Sequence, residues 1–155
     1  VLARCRKAGV NTAVESCLLA SREAMEAMLP VTDQFLVDIK FLDPALHRIH
    51  LGADNRVILE NFQWLLAHGA RVLVRTPLIP GYTAAEDNIR AIARYLRRNA
   101  PQTPWELLNF NPLCRGKYTA LEQDYPVSGG SLTQAEMQRF YDILEQEGIA
   151  NIVKE

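Results

Sequence analysis

Residues 34–40, QFLVDIK, and residues 71–79, RVLVRTPLI, decide the fold. Each is a short, nearly continuous apolar run, too short for a core helix and apolar on both faces, which is the pattern of a buried strand in a parallel sheet. Outward from them the pattern recurs: VNTAVES at 10–16, rich in β-branched residues, WELLNF at 105–110, and a short NIV at 151–153. Helical stretches separate the strands. Ser21 caps a helix through Leu29 that Pro30 cannot continue, and a helix from about Asn55 to His68 is closed by Gly69. Thr83 with Glu86 forms a capping box for a helix running to about Asn99, and Thr133 with Glu136 forms another for a helix ending at Gly148. The stretch around Asp43-Pro44 reads as a loop and short turn, and 111–130 as a polar, Gly-bearing loop.

The beat is βαβαβαβαβ, which implies an α/β fold of parallel units with right-handed crossovers. No linker divides the chain, so residues 1–155 are taken as one unit. Val1, Leu2, Cys5 and Ala8 fall at helical spacing before Gly9, and a helix with no strand before it implies a missing upstream part.

The bulk composition excludes several classes. A formal charge of -1 without a long basic run gives no footprint for nucleic acid, and Arg90, Arg94, Arg97 and Arg98 read as a solvated helix face. No apolar run approaches the roughly 20 residues that span a bilayer and no signal peptide opens the chain, so no membrane partner and a cytoplasmic location are expected. Cys5, Cys17 and Cys114 are too far apart for a metal cluster and read as small packed residues. His47 and His50 sit in a polar turn and His68 at a helix end, while Phe62 and Trp64 lie on a helix covering the sheet.

In parallel α/β folds the chemistry sits at the carboxyl ends of the strands. Glu15 ends the first strand, Asp38 and Lys40 the second, Arg75 lies in the third, and Asn109 and Asn111 follow the fourth. Asp38 and Lys40 are two apart and share a face. They form either a salt bridge at the rim or a site in which Lys40 meets an anion or acts as nucleophile and Asp38 holds a cation or amine. Arg75 among apolar neighbours needs a carboxylate, supplied either by Glu15 or by a ligand.

At these same residues the sequence resembles the glycyl radical enzyme activating enzymes, the radical S-adenosylmethionine family typified by the pyruvate formate-lyase activase. The resemblance runs in order through GVNTAVESC, VTDQFLVDIK, HLGADNRVILENFQWLLAHG, RVLVRTPLIPGYT and ELLNFNPLCRGKY. It implies the later, carboxy-terminal part of a partial (β/α)6 TIM-like barrel. It also implies an S-adenosylmethionine site lined by Glu15, Asp38, Lys40, Arg75 and Asn111, with Lys40 and Arg75 on the methionyl carboxylate and Glu15 with Asp38 on a monovalent cation. In the complete enzyme the resemblance implies reductive cleavage of S-adenosylmethionine by a 4Fe-4S cluster, with electrons from a flavodoxin or ferredoxin. The resulting radical takes a hydrogen atom from a backbone glycine of a partner glycyl radical enzyme. The family's Cys-x3-Cys-x2-Cys loop and Gly-Gly-Glu segment do not occur here, so this chain alone is expected to be inactive. Two alternatives stay open: an aldolase-like barrel with a Schiff base on Lys40, and a cluster-less half-barrel binding module.

Overall fold

The computed structural model describes residues 1–154. Its centre is a five-stranded sheet in which β1 (Ala13–Ser16), β2 (Gln34–Asp38), β3 (Val72–Leu78), β4 (Trp105–Asn109) and β5 (Ile152–Val153) lie side by side in sequence order, all parallel. Sequential parallel strands joined by right-handed crossovers must carry their helices on one face, which is barrel winding rather than the two-sided winding of an open sheet.

Burial along the strands follows from that winding. In β3, Val72, Val74, Thr76 and Leu78 are buried while Leu73, Arg75 and Pro77 are half-buried; in β2, Phe35 and Val37 are buried while Leu36 and Asp38 are not. The first set faces the helices α4 (Arg56–Ala67), α5 (Glu86–Asn99) and α7 (Gln134–Gln146); the second faces the open side. Ile58, Phe62 and Leu65 on α4 and Ile89, Ile92, Ala93 and Leu96 on α5 recur at helical spacing and are buried on the sheet. Full burial of each large side chain is worth about 1.5–3 kcal/mol against exposure, so this single layer supplies most of the cohesion.

Two smaller helices, α1 (Leu2–Lys7) and α2 (Arg22–Met28), bear out the expected starts and stops. Gly9 takes φ of 72° after α1, and Ser21 accepts from the Ala24 N–H at the start of α2 before Pro30 enters a 3-10 turn at Leu29–Val31. The Thr133–Glu136 capping box of α7 also forms in full.

Other expectations are corrected. The Asp43-Pro44 stretch is an eight-residue helix, α3 (Pro44–Leu51), because the Asp43 carboxylate accepts from the Ala45 and Leu46 N–H groups and Gly52 ends it at φ of 79°. No capping box starts α5. The Thr83 hydroxyl is instead buried in the preceding turn, where it accepts from the Ile79 N–H and donates to the Pro77 carbonyl, and the N-cap falls at Ala85. The 111–130 loop contains a 3-10 turn at Pro112–Cys114 and a helix, α6 (Arg115–Ala120). Cys17 is exposed rather than packed, and Cys5 and Cys114 are half-buried. His47 is buried in α3, with its Nδ1 2.6 Å from the Ala53 carbonyl, not in a polar turn.

The arginine cluster is also more than a solvated face. Arg94 grips the buried Glu147 through Nε and Nη2 at 3.0 and 2.9 Å, Arg90 stands 3.5 Å away, and Arg97 donates to the Glu147 backbone carbonyl, so α5 is riveted to the end of α7. Hydrogen bonds from Arg94 hold the Glu147 carboxyl below the usual glutamate range, against the opposing effect of burial. A depressed folded-state pKa contributes stability that is fully present above the unfolded value of about 4.3 and lost as pH falls through the folded one. Denaturant melts at pH 7 and at about pH 3 should therefore show a larger acid loss for the wild type than for Glu147→Gln; equal losses would place the acid sensitivity elsewhere.

Candidate functional site

The open face of the sheet carries a row of charge across its carboxyl half. Parallel register sets Asp38 beside Arg75 and Arg75 beside Glu106, while Glu15 is one strand further out, level with Leu36. Arg75 Nη1 lies 3.1 Å from Glu15, and its Nε lies 3.7 Å from Glu106. Lys40 Nζ donates to Asp38 Oδ2 at 2.8 Å. Both ion pairs foreseen as plain structure are thus made. They leave two atoms over: Asp38 Oδ1 and Arg75 Nε are buried without a hydrogen-bond partner.

Such orphans are costly and uncommon. An unbonded carboxylate oxygen and an unbonded guanidinium N–H on adjacent strands offer one acceptor and one donor, with the Lys40 ammonium two residues from the first. A group bearing both a carboxylate and an amine or cation would satisfy all three. Glu15 is the loosest member, with its side chain 58% exposed against 17% for Arg75 and 18% for Glu106, so its hold on Arg75 is the cheapest to exchange.

Asn111 is engaged differently. It is exposed, and its side-chain oxygen accepts from the Leu113 N–H to start the 3-10 turn. Asn109 ties the end of β4 to the segment before α7 by bonding both the N–H and the carbonyl of Leu132.

Beside Lys40 a cavity of about 410 Å³ opens, walled by Phe41, Ile49, Ile79, Tyr82 and Val127. His50 stacks on Phe41 with ring centroids 5.3 Å apart and meets Tyr82 edge-on at 5.2 Å. The 111–130 segment reaches this cavity at Pro126 and Val127, and the Tyr82 hydroxyl donates to the Pro126 carbonyl at 3.4 Å. Further along the segment Cys114 Sγ and the Tyr125 hydroxyl are 3.1 Å apart, with Arg115 over the Tyr125 ring.

Reading the sequence missed two features. Glu106 is a half-buried partner of Arg75, visible only once β3 and β4 are placed in register. Three buried asparagines also hold strand-end loops. Asn61 donates to the carbonyls of Leu18 and Ala20, Asn55 to those of Phe41 and Leu42, and Asn88 to those of Lys40 and Thr83. Their trace in the sequence is an amide standing in or beside the apolar stripe of a helix, as Asn61 does between Ile58 and Phe62.

Among the described residues no group of three His, Cys, Asp or Glu side chains could hold a metal ion, so the described residues do not fit an iron–sulfur cluster. None of the described helices is long and apolar enough to cross a membrane.

No protein-family model matches the chain. It is 35% identical over 143 residues to a choline trimethylamine-lyase activating enzyme from Oleidesulfovibrio alaskensis, matching 90% of this chain and 46% of that one. It is 38% identical over 148 residues to an isethionate sulfite-lyase activating enzyme from Nitratidesulfovibrio vulgaris, matching 94% of this chain and 48% of that one. Among solved structures, a domain of a pyruvate-formate lyase-activating enzyme from Bacteroides vulgatus superposes with a TM-score of 0.76 at 26% identity, covering 99% of this chain and 87% of that one. These relatives do not favour an aldolase or a cluster-less binding module. The chain is thus a homologue of glycyl radical enzyme activating enzymes, at 35% and 38% identity to the two above, and it spans about half the length of the curated relatives it matches.

Proposed function

We propose that this chain forms the part of a radical S-adenosylmethionine activating enzyme that holds the amino-acid end of the cosubstrate, within an enzyme that installs a glycyl radical on a partner. The observation that carries the reading is the pair of cations, Lys40 and Arg75, beside two buried polar atoms left unbonded, Asp38 Oδ1 and Arg75 Nε. No group of three metal-ligating side chains lies among residues 1–154, and in this reading the 4Fe-4S centre is held by another part of the enzyme. When bound, that centre and S-adenosylmethionine supply the electron transfer and the hydrogen-atom abstraction.

This chain's residues bind and orient. Arg75 and Lys40 receive the methionyl carboxylate, and Asp38 with Glu15 takes a monovalent cation beside it. Asn111 lines the rim. The cavity between α3 and the 111–130 segment borders Lys40, and an extended glycine-bearing segment of the partner enters next to it. A flavodoxin or ferredoxin serves as reductant, in the cytoplasm.

The test is calorimetric titration of S-adenosylmethionine into the cluster-loaded enzyme and its Lys40→Gln variant under anaerobic conditions. Loss of one charge-assisted contact should weaken binding by about tenfold or more. Unchanged affinity in Lys40→Gln would remove this lysine from the site.

A further inference from the structure

We infer that Asn88, with Asn55 and Thr76, positions Lys40 by locking the backbone that carries it. This rests on the cosubstrate reading for its purpose but not for its geometry. The last backbone bond of β2 to β3 is from the Ile39 N–H to the Arg75 carbonyl at 3.0 Å, and side chains take over the carbonyls from Ile39 onward. Four in succession are bonded by side chains: Ile39 by Thr76 Oγ1 at 2.8 Å, Lys40 by Asn88 Nδ2 at 2.8 Å, and Phe41 and Leu42 both by Asn55 Nδ2 at 2.9 Å. The donors come from three places, β3, the N-cap of α4 and α5.

A surface loop could leave such carbonyls to water. Here the three donor residues, Thr76, Asn55 and Asn88, are all buried. The set is also cross-braced. Thr76 accepts from Trp105 Nε1 at 3.0 Å, and Asn88 holds the Thr83 carbonyl with its second bond, so the ends of β2 and β3 move together. The turn after β1 has one such amide, Asn61, on two carbonyls. The heaviest bracing therefore falls on the strand end whose side chain is the proposed anion contact. Supporting groups of this kind set how accurately a binding residue is held, and their loss often costs tenfold or more in affinity.

The experiment uses the complete protein with Asn88→Ala, Asn55→Ala and, as control, Asn61→Ala, which removes an equivalent buried amide away from Lys40. The first readout is acylation of the Lys40 amine at limiting reagent, measured by peptide mass spectrometry against exposed Lys117 in the same digest. Asn88→Ala and Asn55→Ala should each raise the Lys40 ratio by about threefold or more, since a freed backbone lets the ammonium leave Asp38, while Asn61→Ala leaves it unchanged at a similar loss of melting temperature. A ratio unmoved by Asn88→Ala and Asn55→Ala, or raised equally by Asn61→Ala, would overturn the positioning role. The second readout is S-adenosylmethionine affinity. Asn88→Ala should weaken it by about threefold to tenfold and Asn61→Ala by less than twofold, whereas an unchanged affinity in Lys40→Gln defeats the cosubstrate reading and leaves the acylation ratio to decide the positioning role.

Discussion

Arg75→Leu is expected to weaken S-adenosylmethionine binding by about a hundredfold and to destabilise the fold by about 3–5 kcal/mol, through two separable causes. The affinity loss comes from removing a guanidinium whose Nη1 is held by the exposed Glu15, a partner that a ligand carboxylate can replace, while its Nε faces Glu106 at 3.7 Å without a hydrogen bond. The stability loss comes from Glu106, whose side chain is 18% exposed and loses its cationic partner once Arg75 is gone. The double variant Arg75→Leu/Glu106→Leu separates them. Replacing both members of a buried pair by apolar residues of similar size is often close to neutral for stability, so the double variant should regain most of the melting temperature and none of the affinity. Calorimetric titration and a thermal melt of the three proteins read both effects. A double variant that binds as tightly as the wild type would make Arg75 a structural counterion and nothing more.

How far this site was legible in the sequence depends on how local each feature is. The strands announce themselves because a run such as FLVDI is short and nearly continuously apolar, and local spacing carries that information. Lys40, Asp38, Glu15 and Arg75 were legible for a related reason: a charged residue within or ending an apolar strand has few places to go. Both salt bridges followed from that scarcity of partners.

What escaped depends on partners distant in the chain. The Thr83–Glu86 spacing fits a capping box, but the Thr83 hydroxyl is taken by two backbone groups of the turn after β3, and that turn cannot be read from the spacing. Arg90, Arg94 and Arg97 look like a solvated face until Glu147, some 50 residues on, is brought against them. Asp43-Pro44 was a different kind of miss. An Asp at the N-cap with Pro at the first helical position is a local start signal, and only the polar character of His47, Arg48 and His50 argued for a turn. Glu106 and the three asparagines needed strand register and helix rotation together, which a single sequence does not supply.

A stability effect as large as that of Arg75→Leu should come from the bracing behind the site. Trp105 opens β4, is fully buried in the helix-facing layer, and donates from Nε1 to Thr76 Oγ1, the hydroxyl that in turn holds the Ile39 carbonyl. Trp105→Ala removes the largest buried side chain and should cost about 3–5 kcal/mol, a fall of roughly 10 °C in melting temperature for a chain of this size. Trp105→Phe keeps most of the apolar volume but loses the indole donor. Its cost should be about 1 kcal/mol for the lost bond plus a packing defect, with the Thr76 to Ile39 bond retained. Urea melts at constant slope would give both values. The order matters more than the size. If Trp105→Phe cost as much as Trp105→Ala, the hydrogen-bonded chain from β4 through Thr76 to the end of β2 would outweigh packing, and Lys40 should then be disturbed in the phenylalanine variant as well. A small cost for Trp105→Phe with normal Lys40 acylation would show that packing holds the strands while the hydroxyl alone secures the strand end.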